Sequence, residues 1–142
     1  MIAIGSDHGG FLLKQEIMKH LDEKGMEYKD LGTYTGDSCD YPVYGRAVAH
    51  AVAGGDCEKG IVICGTGIGI SIAANKVKGI RAALCSDCYS AQMAREHNDA
   101  NVLALGARVV GAGLAAKIVD TFLDTAFSDG ERHLRRINMI ED

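Results

Sequence analysis

The sequence predicts a three-layer α/β/α sandwich, Rossmann-like, around a mostly parallel five-stranded sheet. Three observations predict it. Four short runs, MIAIG (1–5), GIVICG (60–65), IRAALC (80–85) and NVLALG (101–106), are almost continuously apolar, as strands are when helices cover both faces of a parallel sheet. Helical patterns fill the intervals, and regular strand–helix alternation selects a sheet between helical layers. The chain has 142 residues, the size of one compact domain. Residues 1–142 are therefore expected to form a single domain, large enough to need no disulfide.

The elements follow in order. The first strand runs into SDHGG (6–10). Residues 10–24 place Phe11, Leu12, Ile17, Met18 and Leu21 on one broad helical stripe, with Gly25 as its C-cap. MEYKDLG (26–32) alternates more and reads as a strand nearer an edge. GTYTGDSCDYP (32–42) is the longest irregular piece, and such loops in compact domains are often functional. Pro42 suits the first turn of a helix over 42–53. The strand at 60–65 enters the glycine turn and a helix over 68–77. The strand at 80–85 leads to a helix over 88–97, with Asp87 as N-cap. After the strand at 101–106 comes a helix over 112–127. SDGERHLRRINMIED (128–142) reads as a short last helix with Arg132 and Arg136 on one face, which by itself reads as a solvated basic surface. The order of strands in the sheet does not follow from this pattern.

Composition excludes several classes. Hydrophobic residues make up 47% and charged residues 24%, values of a soluble globular protein. The net charge of −4 argues against a nucleic-acid partner. No apolar run reaches the roughly 18 residues of a membrane span. MIAIGSDHGG is too glycine-rich for a signal peptide core. The five cysteines are an odd number and are expected as reduced thiols in a cytoplasmic protein.

Ligands of open α/β sheets bind beyond the carboxyl ends of the strands. That rule collects Ser6, Asp7, His8, Gly9 and Gly10, then Cys64 and its glycine turn, then Cys85, Ser86 and Asp87, then Arg108. CGTGIGIS (64–71) lacks the lysine of a P-loop, and its third glycine, Gly69, falls one position early for a dinucleotide fingerprint. Backbone N–H groups from Gly65 to Gly69 at a helix mouth can form an anion-binding nest; close strand–helix packing is the alternative. Cys64 fits a packed core equally well. At a helix N-terminus, however, a thiolate is favoured and can act as base or nucleophile. A cysteine phosphatase would close this loop with an arginine, which residues 65–71 lack. CSDC (85–88) admits a redox or zinc reading, but a structural zinc site wants a second ligand pair, and Cys39, Cys57 and His97 are isolated. His8 and His97, at element ends beside Asp7 and Asn98, offer acid–base and hydrogen-bonding groups. His20, His50 and His133 read as surface histidines.

SDHGG (6–10), ICGTGIGISIAANK (63–76), REHNDANVLALGAR (95–108) and the late arginine pair, taken together, resemble the ribose-5-phosphate isomerase B family. That family also holds allose-6-phosphate and galactose-6-phosphate isomerase subunits. The resemblance runs from Ile2 to Arg136. It implies an aldose–ketose isomerase, with no metal or cofactor, that interconverts D-ribose 5-phosphate and D-ribulose 5-phosphate of the pentose phosphate pathway through a cis-enediolate. It implies that Cys64 moves the proton between C2 and C1, and that His97, assisted by Thr66, opens the sugar ring. Gly65, Thr66, Gly67, Ile68 and Gly69 would bind the enediolate through their N–H groups. Asp7, His8 and Asn98 would contact the sugar, Tyr41 would line the pocket, and Arg108, Arg132 and Arg136 would hold the phosphate. One branch of the family carries a glutamate base just after the glycine turn; Ile70 stands there, which implies the cysteine branch. The resemblance further implies a homodimer or tetramer with its active site at the subunit interface. The alternatives are an isomerase of allose or galactose 6-phosphate, and a non-catalytic phosphosugar-binding domain.

Overall fold

The five expected strands form one parallel sheet in the computed structural model, which describes residues 1–142. They are β1 (Ile2–Ser6), β2 (Tyr28–Asp30), β3 (Lys59–Cys64), β4 (Ala82–Leu84) and β5 (Val102–Gly106), in the order β2-β1-β3-β5-β4. β1 and β5 are buried along their whole length, and β3 is buried beyond Lys59. β2 and β4 are the short, partly exposed edges, which is why residues 26–32 alternate. Ser6 pairs with Ile63, and Cys64 with Gly106, so the carboxyl ends of the three central strands lie in line.

Six helices form, of which the first five cover the sheet: α1 (Phe11–Glu23), α2 (Tyr41–Ala53), α3 (Ile68–Asn75), α4 (Cys88–Asn98), α5 (Ala112–Asp124) and α6 (Glu131–Glu141). Side chains alternate across a strand. Ile61 and Ile63 thus meet α1, α4 and α5 on one face, while Val62 and Cys64 meet α2 and α3 on the other. α6 lies outside this sandwich, packed on α4. None of the helices is long and apolar enough to cross a membrane.

Most local signals hold. The Asp87 carboxylate accepts the Ser90 N–H at 2.6 Å as the N-cap of α4. Pro42 sits in the first turn of α2. Gly25, at φ +68°, follows the last turn of α1. α3 and α5 stop two and three residues short of expectation, α5 because Thr125 is already extended. The stripe of α1 is different. Leu12 is 74% exposed, and the buried residues are Leu13, Lys14, Ile17 and Leu21. The spacing of 13, 17 and 21 follows the helical repeat, and Leu12 falls outside it.

The connections set the place of a site. The chain leaves β1 for the β2 edge, returns past β1 to β3, and then steps over β5 to β4. The carboxyl ends of β1 and β3 therefore flank a topological switch point, where crossovers leave in opposite directions and a crevice opens.

Candidate active site

β1 ends in Ser6 and delivers Asp7 and His8 to the switch point. Asp7 is buried, and its Oδ1 accepts the Gly10 N–H at 3.0 Å, closing the single 3-10 turn His8–Gly10. Gly10 passes so close to the Ile63 carbonyl that a Cβ there would collide with it. His8 projects to the surface, and its Nδ1 accepts the Cys39 N–H at 3.2 Å from the long loop.

β3 delivers Cys64, which is 5% exposed. Its sulfur accepts the Gly67 N–H at 3.1 Å. Gly67 has φ +78°, and a Cβ on it would strike Leu84 and the Leu105 backbone, so the turn requires glycine here. The Ile68 N–H is taken by the Thr66 hydroxyl at 3.2 Å. The N–H groups of Gly65, Thr66 and Gly69 have no partner in the chain. Three free donors at a helix N-terminus, beside a sulfur, form the nest expected from the glycine spacing.

Two side chains close over this nest. The Tyr41 ring lies against Gly69, where a Cβ would come within 2.7 Å of it. The Arg108 guanidinium lies across Gly65, and the Arg108 N–H donates to the Gly65 carbonyl at 3.0 Å. No ion pair in the chain uses Arg108, Arg132 or Arg136; all three are exposed cations. Ile70 is fully buried against Gly45 of α2 and offers no acid–base group.

The remaining site residues are elsewhere. α4 runs back from the carboxyl end of β4, so His97 and Asn98 in its last turn sit at the amino edge of the sheet. Arg81, just before β4, donates through Nε to the Asn98 carbonyl at 2.8 Å. The five residues of β5, at about 3.3 Å each, set the two edges roughly 16 Å apart. At the amino edge the imidazole of His97 stacks on that of His133, with centroids 4.2 Å apart and planes 11° from parallel. Arg132 and Arg136 flank this pair on α6. One chain thus gathers Asp7, His8, Tyr41, Cys64 to Gly69 and Arg108 at one end, and His97, Asn98, Arg132 and Arg136 at the other.

His133 corrects an expectation: it is buried, not a surface histidine. Burial, the His97 ring and the charges of Arg132 and Arg136 hold its imidazole below the ordinary histidine range. The signal was its position, since His133 and Ile137 share the inward face of α6. Both cysteines of the CSDC motif are free thiols. Burial and the Asp87 carboxylate push the Cys85 thiol up to about 11, which disfavours the thiolate that redox or metal chemistry needs.

A thiol in contact with a backbone nest, at the switch point of a parallel sheet and under an arginine, defines an anion-handling α/β site with a thiol as its candidate base. The chain belongs to the Ribose/Galactose Isomerase family, whose model matches residues 2–140. It is 57% identical to ribose-5-phosphate isomerase B of Escherichia coli, over 98% of this chain and 93% of that protein. Its structure superposes with a TM-score of 0.97 on ribose-5-phosphate isomerase B of Clostridium thermocellum, at 59% identity, covering 99% of this chain and 94% of that one. A ribose 5-phosphate isomerase from Thermotoga maritima gives a TM-score of 0.96 at 51% identity, covering 99% and 96%.

Proposed function

We propose that this protein interconverts D-ribose 5-phosphate and D-ribulose 5-phosphate, with Cys64 as the base and no metal. The carrying observation is the contact between the Cys64 sulfur and the Gly67 N–H, in a turn whose neighbouring donors are free. Family membership supports the reaction class, and identity above half to a ribose-5-phosphate isomerase B supports the pentose.

The chemistry requires both parts of that turn. A C2 proton of an aldose is lifted only if the enediolate is stabilised as it forms. Preorganised donors do this, and losing one typically costs about 3–4 kcal/mol. The Cys64 thiolate takes the proton from C2 and returns it to C1, the hydroxyl proton of O2 passing to O1 in the cis-enediolate, while both oxygens lie against the N–H groups of Gly65, Thr66 and Gly69. Asp7 Oδ1 is engaged with Gly10, so its other oxygen and His8 contact sugar hydroxyls. The Tyr41 ring walls the pocket.

The working site is built from two chains. His97 and Asn98 come from a second copy, with Arg132 and Arg136, and complete a pocket around the Cys64 of the first. His97, with Thr66, moves the proton that opens the furanose ring. Arg108, Arg132 and Arg136 take the phosphate through charge-assisted hydrogen bonds. Two features support this reading: the separation of the two residue sets within one chain, and apolar surface beside the nest. Tyr41, Ile68, Ile72 and Leu84 are each 40% to 55% exposed there, and apolar groups clustered this way suit a partner surface.

The decisive experiment compares kcat/KM on ribose 5-phosphate, allose 6-phosphate and galactose 6-phosphate. A preference for ribose 5-phosphate is expected. A clear hexose preference would move the substrate and leave the mechanism standing. Binding with no turnover of any of them would leave only a phosphosugar-binding domain.

A further inference from the structure

Lys14 is fully buried in the apolar stripe of α1, between Leu13 and Ile17. A charge in that place has a large desolvation cost, and a well-packed apolar residue would often serve stability as well or better. The sequence nonetheless has a lysine there, and both of its hydrogen-bond partners belong to one segment. Nζ donates to Asp30 Oδ1 at 2.5 Å and to the Thr33 carbonyl at 2.6 Å, and it lies 5.4 Å from the centre of the Tyr34 ring.

That segment is the base of the long loop. Asp30 Oδ1 also accepts the Gly32 N–H at 2.9 Å, and the Tyr34 hydroxyl donates to the Asp30 carbonyl at 3.0 Å. The Ser6 N–H donates to the Gly32 carbonyl, and the Thr33 N–H to the Ser6 carbonyl. Residues 30–34 are thereby clamped to the strand end that immediately precedes Asp7 and His8. A few residues on, the same loop returns the Cys39 N–H to His8 Nδ1, and then presents Tyr41 to Gly69.

A neutral imidazole carries one proton, and a ring nitrogen that accepts a hydrogen bond cannot bear it. The Cys39 N–H therefore selects the tautomer with the proton on Nε2. We propose that Lys14 is a positioning residue of the active site: paired with Asp30, it seats the loop that locks His8 as an Nε2–H donor toward the substrate. The substrate half of this inference rests on the proposed isomerase reading; the tautomer half does not.

Two variants test it, Lys14→Met and Asp30→Asn. The second alters a partly exposed carboxylate and carries the test if the first does not fold. In wild type, nitrogen-15 NMR of the histidines should show His8 as a single Nε2–H tautomer without any ligand. In the variants that signal should shift toward a mixture of tautomers. KM for ribose 5-phosphate should rise about tenfold with kcat within about threefold, since binding rather than chemistry is lost. A lower Tm with unchanged His8 tautomer and unchanged KM would make the pair merely structural and overturn the proposal. If wild type does not turn over ribose 5-phosphate, the substrate reading fails, and the tautomer measurement still decides whether the lock exists.

Discussion

The sulfur of Cys64 and the amide of Gly67 are 3.1 Å apart, joined by a hydrogen bond that crosses the mouth of the glycine turn. In the proposed mechanism the bond ties the base to the donors that would receive the enediolate, so the two act as one unit. Replacing Cys64 by Ala removes the proton acceptor and leaves the nest. Turnover of ribose 5-phosphate should fall by roughly 10³-fold, within the usual range for a positioned general base, with KM little changed. Near wild-type turnover in steady-state kinetics would remove Cys64 from the reaction.

The separation of Cys64 from His97 across the sheet makes a second prediction. Cys64→Ala and His97→Ala should each be inactive alone. Mixed and refolded together, they should recover activity, because a mixed dimer holds one site with both groups intact. Random pairing of two closed, symmetric subunits gives about a quarter of the wild-type rate. No recovery, despite mixed dimers visible by native mass spectrometry, would place both groups in one chain's site.

Arg132 and Arg136 are exposed, lie on one face of α6 and have no acidic partner. Such cations are available to a phosphate. Arg132→Ala or Arg136→Ala should raise KM about 10- to 100-fold, the effect of one charge-assisted hydrogen bond of about 1.5–3 kcal/mol. Unchanged KM would return them to a solvated surface.

His133 is held in its neutral form by burial, by the stacked His97 ring and by the neighbouring arginine charges. Its folded value lies below the ordinary 6.5. The unfolded chain therefore binds more protons as pH falls from 6.5 towards the folded value, and stability falls across that window. Above about pH 7 the contribution is fully present. The Tm of wild type should drop between pH 7.5 and 5.5, and less so in His133→Phe, which can stack but not titrate. Equal drops in the two proteins would contradict this.

Ser6 Oγ is buried and has no hydrogen-bond partner. Removing it relieves a desolvated polar group and leaves the backbone bonds of Ser6 to Gly32 and Thr33 in place. Ser6→Ala should be neutral or stabilising by up to about 1 kcal/mol in urea unfolding. A loss above that size would reveal a partner for the hydroxyl.

Much of the site was legible because chain order and strand direction place Asp7, His8, Cys64 and Arg108 at one sheet edge. The nest was legible too, since a strand entering closely spaced glycines and then a helix leaves amides exposed. His133 was not, because the polar residues around it mask its share of the inward face with Ile137. Lys14 was hidden in the same way: a lysine inside an apolar stripe resembles surface until Asp30 and Thr33 are seen to receive it.

The sequence by itself determined the five strands, the six helices, the thiol and its turn, because each depends on periodicity or on residues a few positions apart. Only the tertiary structure decided the strand order, the pairing of Lys14 with Asp30, the stacking of His97 on His133 and the parting of His97 from Cys64. Those arise from contacts between residues distant along the chain, where burial and packing of the whole sheet choose the partners and no local pattern records the choice.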